Sequence, residues 1–182
     1  MNLDKPHTKQ LLIKCKAGDK KAQFAIYKQY YKVMYNCALR IVVDSFEAED
    51  IMQEAFLAAF TKLNSYSGEV TFGAWLKRIV INKCLSSLKK FEKMEKVTLD
   101  KVPFESFIDE EIDITNVDVT YILKQIKNLK TNYRIAITLN LIEGYDCEEM
   151  AKIMNISYGN SRTMISRAKN KLRELLTPIY ER

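Results

Sequence analysis

Apolar residues recur at intervals of three and four along almost the whole of this chain, and no stretch alternates apolar with polar over a useful length. Only five glycines and three prolines interrupt 182 residues, too few for the tight turns of a sandwich or barrel. The fold class that follows is all-α. The length suits one large domain or two small ones, and an apolar content of 47% is enough for real cores. A formal charge of +6 favours a polyanionic partner.

Cys15, Cys37, Cys84 and Cys147 are far apart and lie in apolar helical patterns, without a CxxC motif, and His7 is the lone histidine. These read as reduced core cysteines of a cytoplasmic protein, with no metal site. The first ten residues, MNLDKPHTKQ, lack the apolar segment of a signal peptide, and no run approaches membrane-spanning length, so no stable membrane insertion is expected.

A first short helix should stop at Gly18, and Asp19 should cap a second in which Phe24, Tyr27, Tyr31, Met34 and Ala38 share a face. Ser45 is the expected N-cap of a third helix, with Glu47, Glu49 and Asp50 in its first turn. That helix sets Ala48, Ile51, Met52, Ala55, Ala59 and Leu63 on one side, against Asp50, Gln53, Glu54 and Leu57 on the other. Pattern alone favours an ordinary solvated face with one stray leucine. After a polar loop, FGAWLKRIVINKCLSSLKK gives a basic helix with Phe72, Trp75, Leu76 and Ile79 on an apolar side and Arg78, Asn82, Ser86 and Lys89 on a polar one.

Residues 93–115 are acidic, contain Pro103 and keep no clean period, which suits a linker between two small helical domains at 1–92 and 116–182. In the second domain Asn116 and Thr131 are candidate caps, Asp146 with Glu149 makes a capping box, and the last helix should run from Tyr158 to Leu176, before Pro178. DCEEMAKIMNISYGNSRTMISRAKNKLREL has the layout of a helix-turn-helix. Ala151 allows a close crossing, Asn155 tolerates the left-handed turn, and Ile165, Ala168 and Leu172 face inward. Asn160, Arg162, Thr163, Ser166, Arg167 and Lys169 face outward, where arginine can grip phosphate or a guanine edge.

The ordered set AEDIMQEAF, FGAWLKRIVINKCLSSLK and RIAITLNLIEGYDCEEMAKIMNISYGNSRTMISRAKNKL resembles a bacterial sigma factor of the two-domain, extracytoplasmic-function (ECF) group of the sigma-70 family, from roughly Leu11 to Leu176. The resemblance implies docking on core RNA polymerase through Asp50, Gln53, Glu54 and Leu57. It implies a −10 site that opens promoter DNA and holds the non-template strand, built from Ser65, Tyr66, Ser67, Lys77, Arg78, Asn82 and Lys83. Trp75 is assigned to packing. Asn160, Arg162, Thr163, Arg167 and Lys169 would contact the −35 duplex. The resemblance implies inhibition by an anti-sigma factor or by an autoinhibited closed form, and further regulation is expected from outside the chain. Three positions depart from the family pattern: Lys130 replaces a proline, Ser161 a buried valine and Met164 a frequently basic residue.

Three other functions fit less of the chain. An autonomous helix-turn-helix regulator on operator DNA leaves the Asp50 face and the Trp75–Asn82 helix without a task. A peripheral membrane protein using the basic helix does not need Asn82. An enzyme has no catalytic constellation to work with: one histidine, scattered cysteines and no glycine-rich phosphate loop, and no cofactor is called for.

Overall fold

The computed structural model describes residues 4–95 and 117–180. The described residues are helical with no strand among them, and they fall into two compact units, with the division between Val102 and Pro103. The expected linker from residue 96 onward and the Asn116 cap lie outside the described residues.

The first unit contains α1 (Pro6–Lys16), α2 (Lys20–Val42), α3 (Ser45–Thr61), a 3-10 turn at Leu63–Ser65 and α4 (Phe72–Glu95). Helices α2, α3 and α4 pack against one another and α1 covers α2. Pro6 starts α1 with the φ that a first helical residue needs. Gly18, at φ +84°, reverses the chain, and the Asp19 carboxylate accepts from the Lys21 and Ala22 amides to begin α2.

Two expectations shift here. The N-cap of α3 is Asp44, which accepts from the Glu47 amide, and Ser45 is the first helical residue, so only Glu47 of the three acids lies in the first turn. Val43 ends α2 in the left-handed region (φ 69°), which leaves Asp44 extended in the geometry a cap requires. In α2, Phe24 is 58% exposed, and the inward positions are Ala22, Ile26, Met34, Cys37, Ala38 and Ile41. Tyr27 and Tyr31 are half-buried on the flank of that face, where Tyr27 meets Phe56 of α3 with ring centroids 4.9 Å apart. The inward side of α3 is occupied by Ala48, Ile51, Met52, Ala55 and Ala59, joined by Phe56.

Between α2 and α4, Tyr30 lies over the backbone at Gly73, where a Cβ would come within 2.9 Å of the ring. Tyr30, Tyr66 and Trp75 surround Phe72, which is fully buried, with centroid separations of 5.5, 5.7 and 5.7 Å. Cys84 is fully buried near the middle of α4, and burial pushes its thiol pKa up to about 12. Cys15 and Cys37 are also buried, whereas Cys147 is half-exposed.

The second unit contains α5 (Val117–Lys127), α6 (Thr131–Ile137), a π-helical turn at Thr138–Ile142, α7 (Cys147–Met154) and α8 (Tyr158–Tyr180). Helices α5, α6 and α7 pack on α8. Lys130 occupies the N-cap position of α6, one residue before the expected Thr131, and offers no side-chain cap. Buried Arg134 donates from Nη1 to the Leu129 carbonyl (3.2 Å) across the α5–α6 turn, and desolvation lowers its pKa. The Asp146–Glu149 capping box is formed in both directions. Asn155 ends α7 at φ 53° and ψ 53°, in the left-handed conformation that the turn of a helix-turn-helix needs. Helix α8 runs on through Pro178 to Tyr180. A proline's φ of about −65° is itself helical, and the amide it lacks would serve only the last turn.

Ser161 is fully buried in α8, and its hydroxyl has no hydrogen-bond partner; the same holds for Thr138. Stranding a buried hydroxyl costs about 1–3 kcal/mol. Ser161→Ala should therefore raise the melting temperature of the second unit by several degrees, read by calorimetry. A fall would show that the hydroxyl is satisfied after all.

Candidate protein and nucleic-acid interfaces

The outward face of α3 carries Asp50, Gln53 and Glu54, all exposed, and Leu57, which is 69% exposed. Phe46, 74% exposed, extends this face by a turn, so that Phe46, Asp50, Gln53 and Leu57 follow a 4-3-4 spacing along one line. Sequence reading missed Phe46, although its place four residues before Asp50 marks it. Two bare apolar side chains on a line of acceptors suit a protein partner better than water alone.

Helix α4 lies against α3. Asn82, Ser86 and Lys89 are exposed along its polar face, and Arg78 is half-buried at the start of that stripe. The Ser86 hydroxyl donates to the Asn82 carbonyl (2.8 Å) and leaves the Asn82 amide side chain facing solvent. By helical geometry Lys77 and Lys83 flank this stripe on opposite sides. Lys83 turns toward α3 and pairs with Glu54, Nζ to Oε2, at 2.6 Å. Ser87 donates to Glu47 one helical turn further along. The helix with the bare acidic face and the helix with the basic face are thus tied by two polar links, and Glu54 and Lys83, which form one of them, are also candidate interface residues.

The loop before α4 is shaped from an unexpected direction. Asp4, 7% exposed, accepts the Phe72 amide on Oδ1 (2.8 Å) and so satisfies one free donor at the start of α4. The Tyr66 hydroxyl lies between Asp4 Oδ2 (2.5 Å) and the Val70 carbonyl (2.6 Å) and shares its one proton with them. Of the three loop residues expected to meet DNA, Ser65 and Ser67 are exposed, whereas Tyr66 is 7% exposed and points inward. Its ring packs on Trp75 (5.4 Å) and Phe72, so Tyr66 forms the floor of the loop and not its surface. Burial and the bond to Asp4 raise its pKa well above the ordinary tyrosine value.

In the helix-turn-helix, Ala151 and Ile153 of α7 and Ile165, Ala168 and Leu172 of α8 are buried. Asn160, Arg162, Thr163 and Arg167 are exposed, and Lys169 is half-exposed. Ser157 starts α8: its hydroxyl accepts the Asn160 amide (3.2 Å) and its carbonyl the Ser161 amide (3.0 Å). The sequence reading did not name this serine, although a serine directly before a helix is the ordinary cap signal. Thr163 donates its hydroxyl to the Gly159 carbonyl (2.9 Å). Among the described residues no group of His, Cys, Asp and Glu could hold a metal ion, and no helix is long and apolar enough to cross a membrane.

The Sigma-70 region 2 model matches residues 26–93, from α2 through most of α4, and the Sigma-70, region 4 model matches 120–172, which contains the helix-turn-helix. The chain is a sigma-70 family protein. It belongs to the extracytoplasmic-function group and is a promoter-directing sigma factor of RNA polymerase. It is 27% identical to the RNA polymerase sigma-H factor of Pseudomonas aeruginosa over 194 residues, covering 97% of each chain. It is 29% identical to the ECF RNA polymerase sigma-E factor of Escherichia coli over 187 residues, covering 96% of this chain and 97% of the other. The sigma factor RpoE of Bartonella quintana, solved with the anti-sigma factor NepR, superposes with a TM-score of 0.67 at 25% identity, over 84% of this sigma factor and 95% of RpoE.

Proposed function

We propose that this sigma factor docks on core RNA polymerase through the outward face of α3, using Asp50, Gln53, Glu54 and Leu57 with Phe46 at its edge. The observation that carries this reading is that face itself, acidic and partly apolar, fully presented on a helix whose opposite side is core. Beside it, Arg78, Lys77 and Lys83 supply charge for a separated strand, and Asn82 supplies the donor and acceptor that can read a base edge. Ser65 and Ser67 border the loop, over a floor of Tyr66 and Trp75. In the second unit, Arg162, Thr163 and Arg167 read the −35 duplex from the first turns of α8, with Asn160 and Lys169 nearer its backbone.

On this reading the protein works in the cytoplasm by binding and strand separation, without catalysis of its own. An anti-sigma factor is its inhibitor, by analogy with the partner of RpoE. Both DNA-facing surfaces are basic, and masking them prevents idle binding to bulk DNA.

The test is retention of bacterial core RNA polymerase by the tagged chain and by an Asp50→Ala/Gln53→Ala/Glu54→Ala variant of unchanged melting temperature. Wild type should retain the polymerase and the variant should lose at least tenfold. Equal retention by both moves the docking face elsewhere. Absence of retention by either, with tight binding to a duplex operator, would make the chain an autonomous regulator.

A further inference from the structure

Of the three exposed arginines of α8, Arg173 is tied to Asn170 (2.7 Å); Arg162 and Arg167 are the two assigned to DNA, and the structure holds only one of these in place. The Arg162 guanidinium lies over the ring of Tyr158, 5.9 Å from its centroid. No carboxylate among the described residues pairs with Arg162, and Arg167 has no side-chain partner among them. Tyr158 is the first residue of α8 and is 53% exposed, four residues before Arg162 and therefore on the same face. Its backbone is fixed from both sides, by the Ser157 cap and by Ser161, which buries the first turn against the core.

We infer that Tyr158 is a positioning residue that makes Arg162, and not Arg167, the discriminating arginine of the −35 reader. This rests on the assignment of α8 to the −35 duplex. A ring takes up the face of a guanidinium and none of its N–H donors, so the fork remains free for the O6 and N7 acceptors of a guanine. Arginine is otherwise a long side chain whose freedom must be given up on binding. A cation already held over a ring at an exposed site gains a factor of about two to five in the population of that geometry. Arg167 lacks such a support, so the part proposed for it above narrows from base reading to phosphate, which tolerates a looser approach. The ligand is a duplex with a guanine at the position facing Arg162.

The experiment uses the full chain assembled with core RNA polymerase and a library of promoter-length duplexes randomised across the upstream element. The guanine whose enrichment collapses in Arg162→Ala is the base that Arg162 reads. At that position Tyr158→Leu should reduce discrimination of guanine over adenine about two- to fivefold. Tyr158→Phe should retain it, because the ring remains, and Tyr158→Leu should have no further effect in the Arg162→Ala background.

Unchanged discrimination in Tyr158→Leu overturns the inference, as does an equal loss in the Arg162→Ala background. A loss in Tyr158→Phe would move the effect to the phenol hydroxyl and also overturn it. If no guanine depends on Arg162 at all, the −35 assignment fails first and the inference falls with it. Melting curves of each variant separate these outcomes from simple loss of the fold.

Discussion

Replacing Phe72 with alanine is expected to lower the stability of the first unit by about 3–5 kcal/mol, the cost of removing a large buried ring and leaving a cavity. Phe72 has no exposed surface, and the rings of Tyr30, Tyr66 and Trp75 lie around it. Natural domains hold about 5–15 kcal/mol in total, so this change alone removes a large share. Urea denaturation should show a lower midpoint at an unchanged slope. Because Tyr66 and Trp75 also floor the loop before α4, promoter opening by the assembled polymerase should fall at temperatures where the unit is still folded. A loss of less than 1 kcal/mol would mean that the neighbouring rings close the gap and that the cluster does not anchor the loop.

Asp4→Ala should cost about 2–4 kcal/mol, although it changes the fourth residue of the chain. It strands the Phe72 amide and disturbs the Tyr66 hydroxyl, and each buried group left unsatisfied costs about 1–3 kcal/mol. Asp4→Asn keeps an acceptor for the amide and should cost less. The phenol also gives a pH dependence with a defined sign. Burial first, and the Asp4 contact second, raise the folded-state pKa of Tyr66 above the ordinary value of about 10. A group with a raised pKa contributes its full stabilisation below its unfolded value and loses it as pH rises through the folded one. The first unit should therefore weaken above pH ~10, more shallowly in Asp4→Ala, where burial and the smaller effect of Tyr30 remain. An alkaline limb of equal slope in both proteins would remove Asp4 from this account.

The α3 core was legible because Ala48, Ile51, Met52, Ala55 and Ala59 keep one helical period and a single side of the helix is covered. Helix α2 was harder. It is covered by α1, α3 and α4, so its buried arc is wide, and the aromatic stripe led by Phe24 marks the flank while Ile26 marks the centre. Helix starts slipped by one residue at Asp44 and Lys130, where the residue after each, Ser45 or Thr131, is a good cap by type and yet is already helical.

The outward faces of α3 and α8 could be read because exposure follows from the same period. Contacts across the chain could not. Asp4 meets Phe72 across a sequence separation of 68 and Lys83 meets Glu54 across one of 29, separations on which local pattern carries no information. Helical period places Tyr66 in a loop but does not say that it faces inward, because its direction is set by the fourth residue of the chain.

The Glu54–Lys83 pair has a consequence for how such a sequence can drift. An ordinary surface ion pair can exchange its signs, acid for base and base for acid, and leave the protein as it was. Here Glu54 is exposed and Lys83 half-buried, and each stands on a face proposed above to meet a different outside partner, polymerase on one side and a polyanion on the other. A swapped pair would close the same gap between α3 and α4 and present the wrong sign to both. On the proposed function, the neutral paths open to these two positions keep the acid on α3 and the base on α4, so that molecules outside the fold would dictate the polarity of an internal contact.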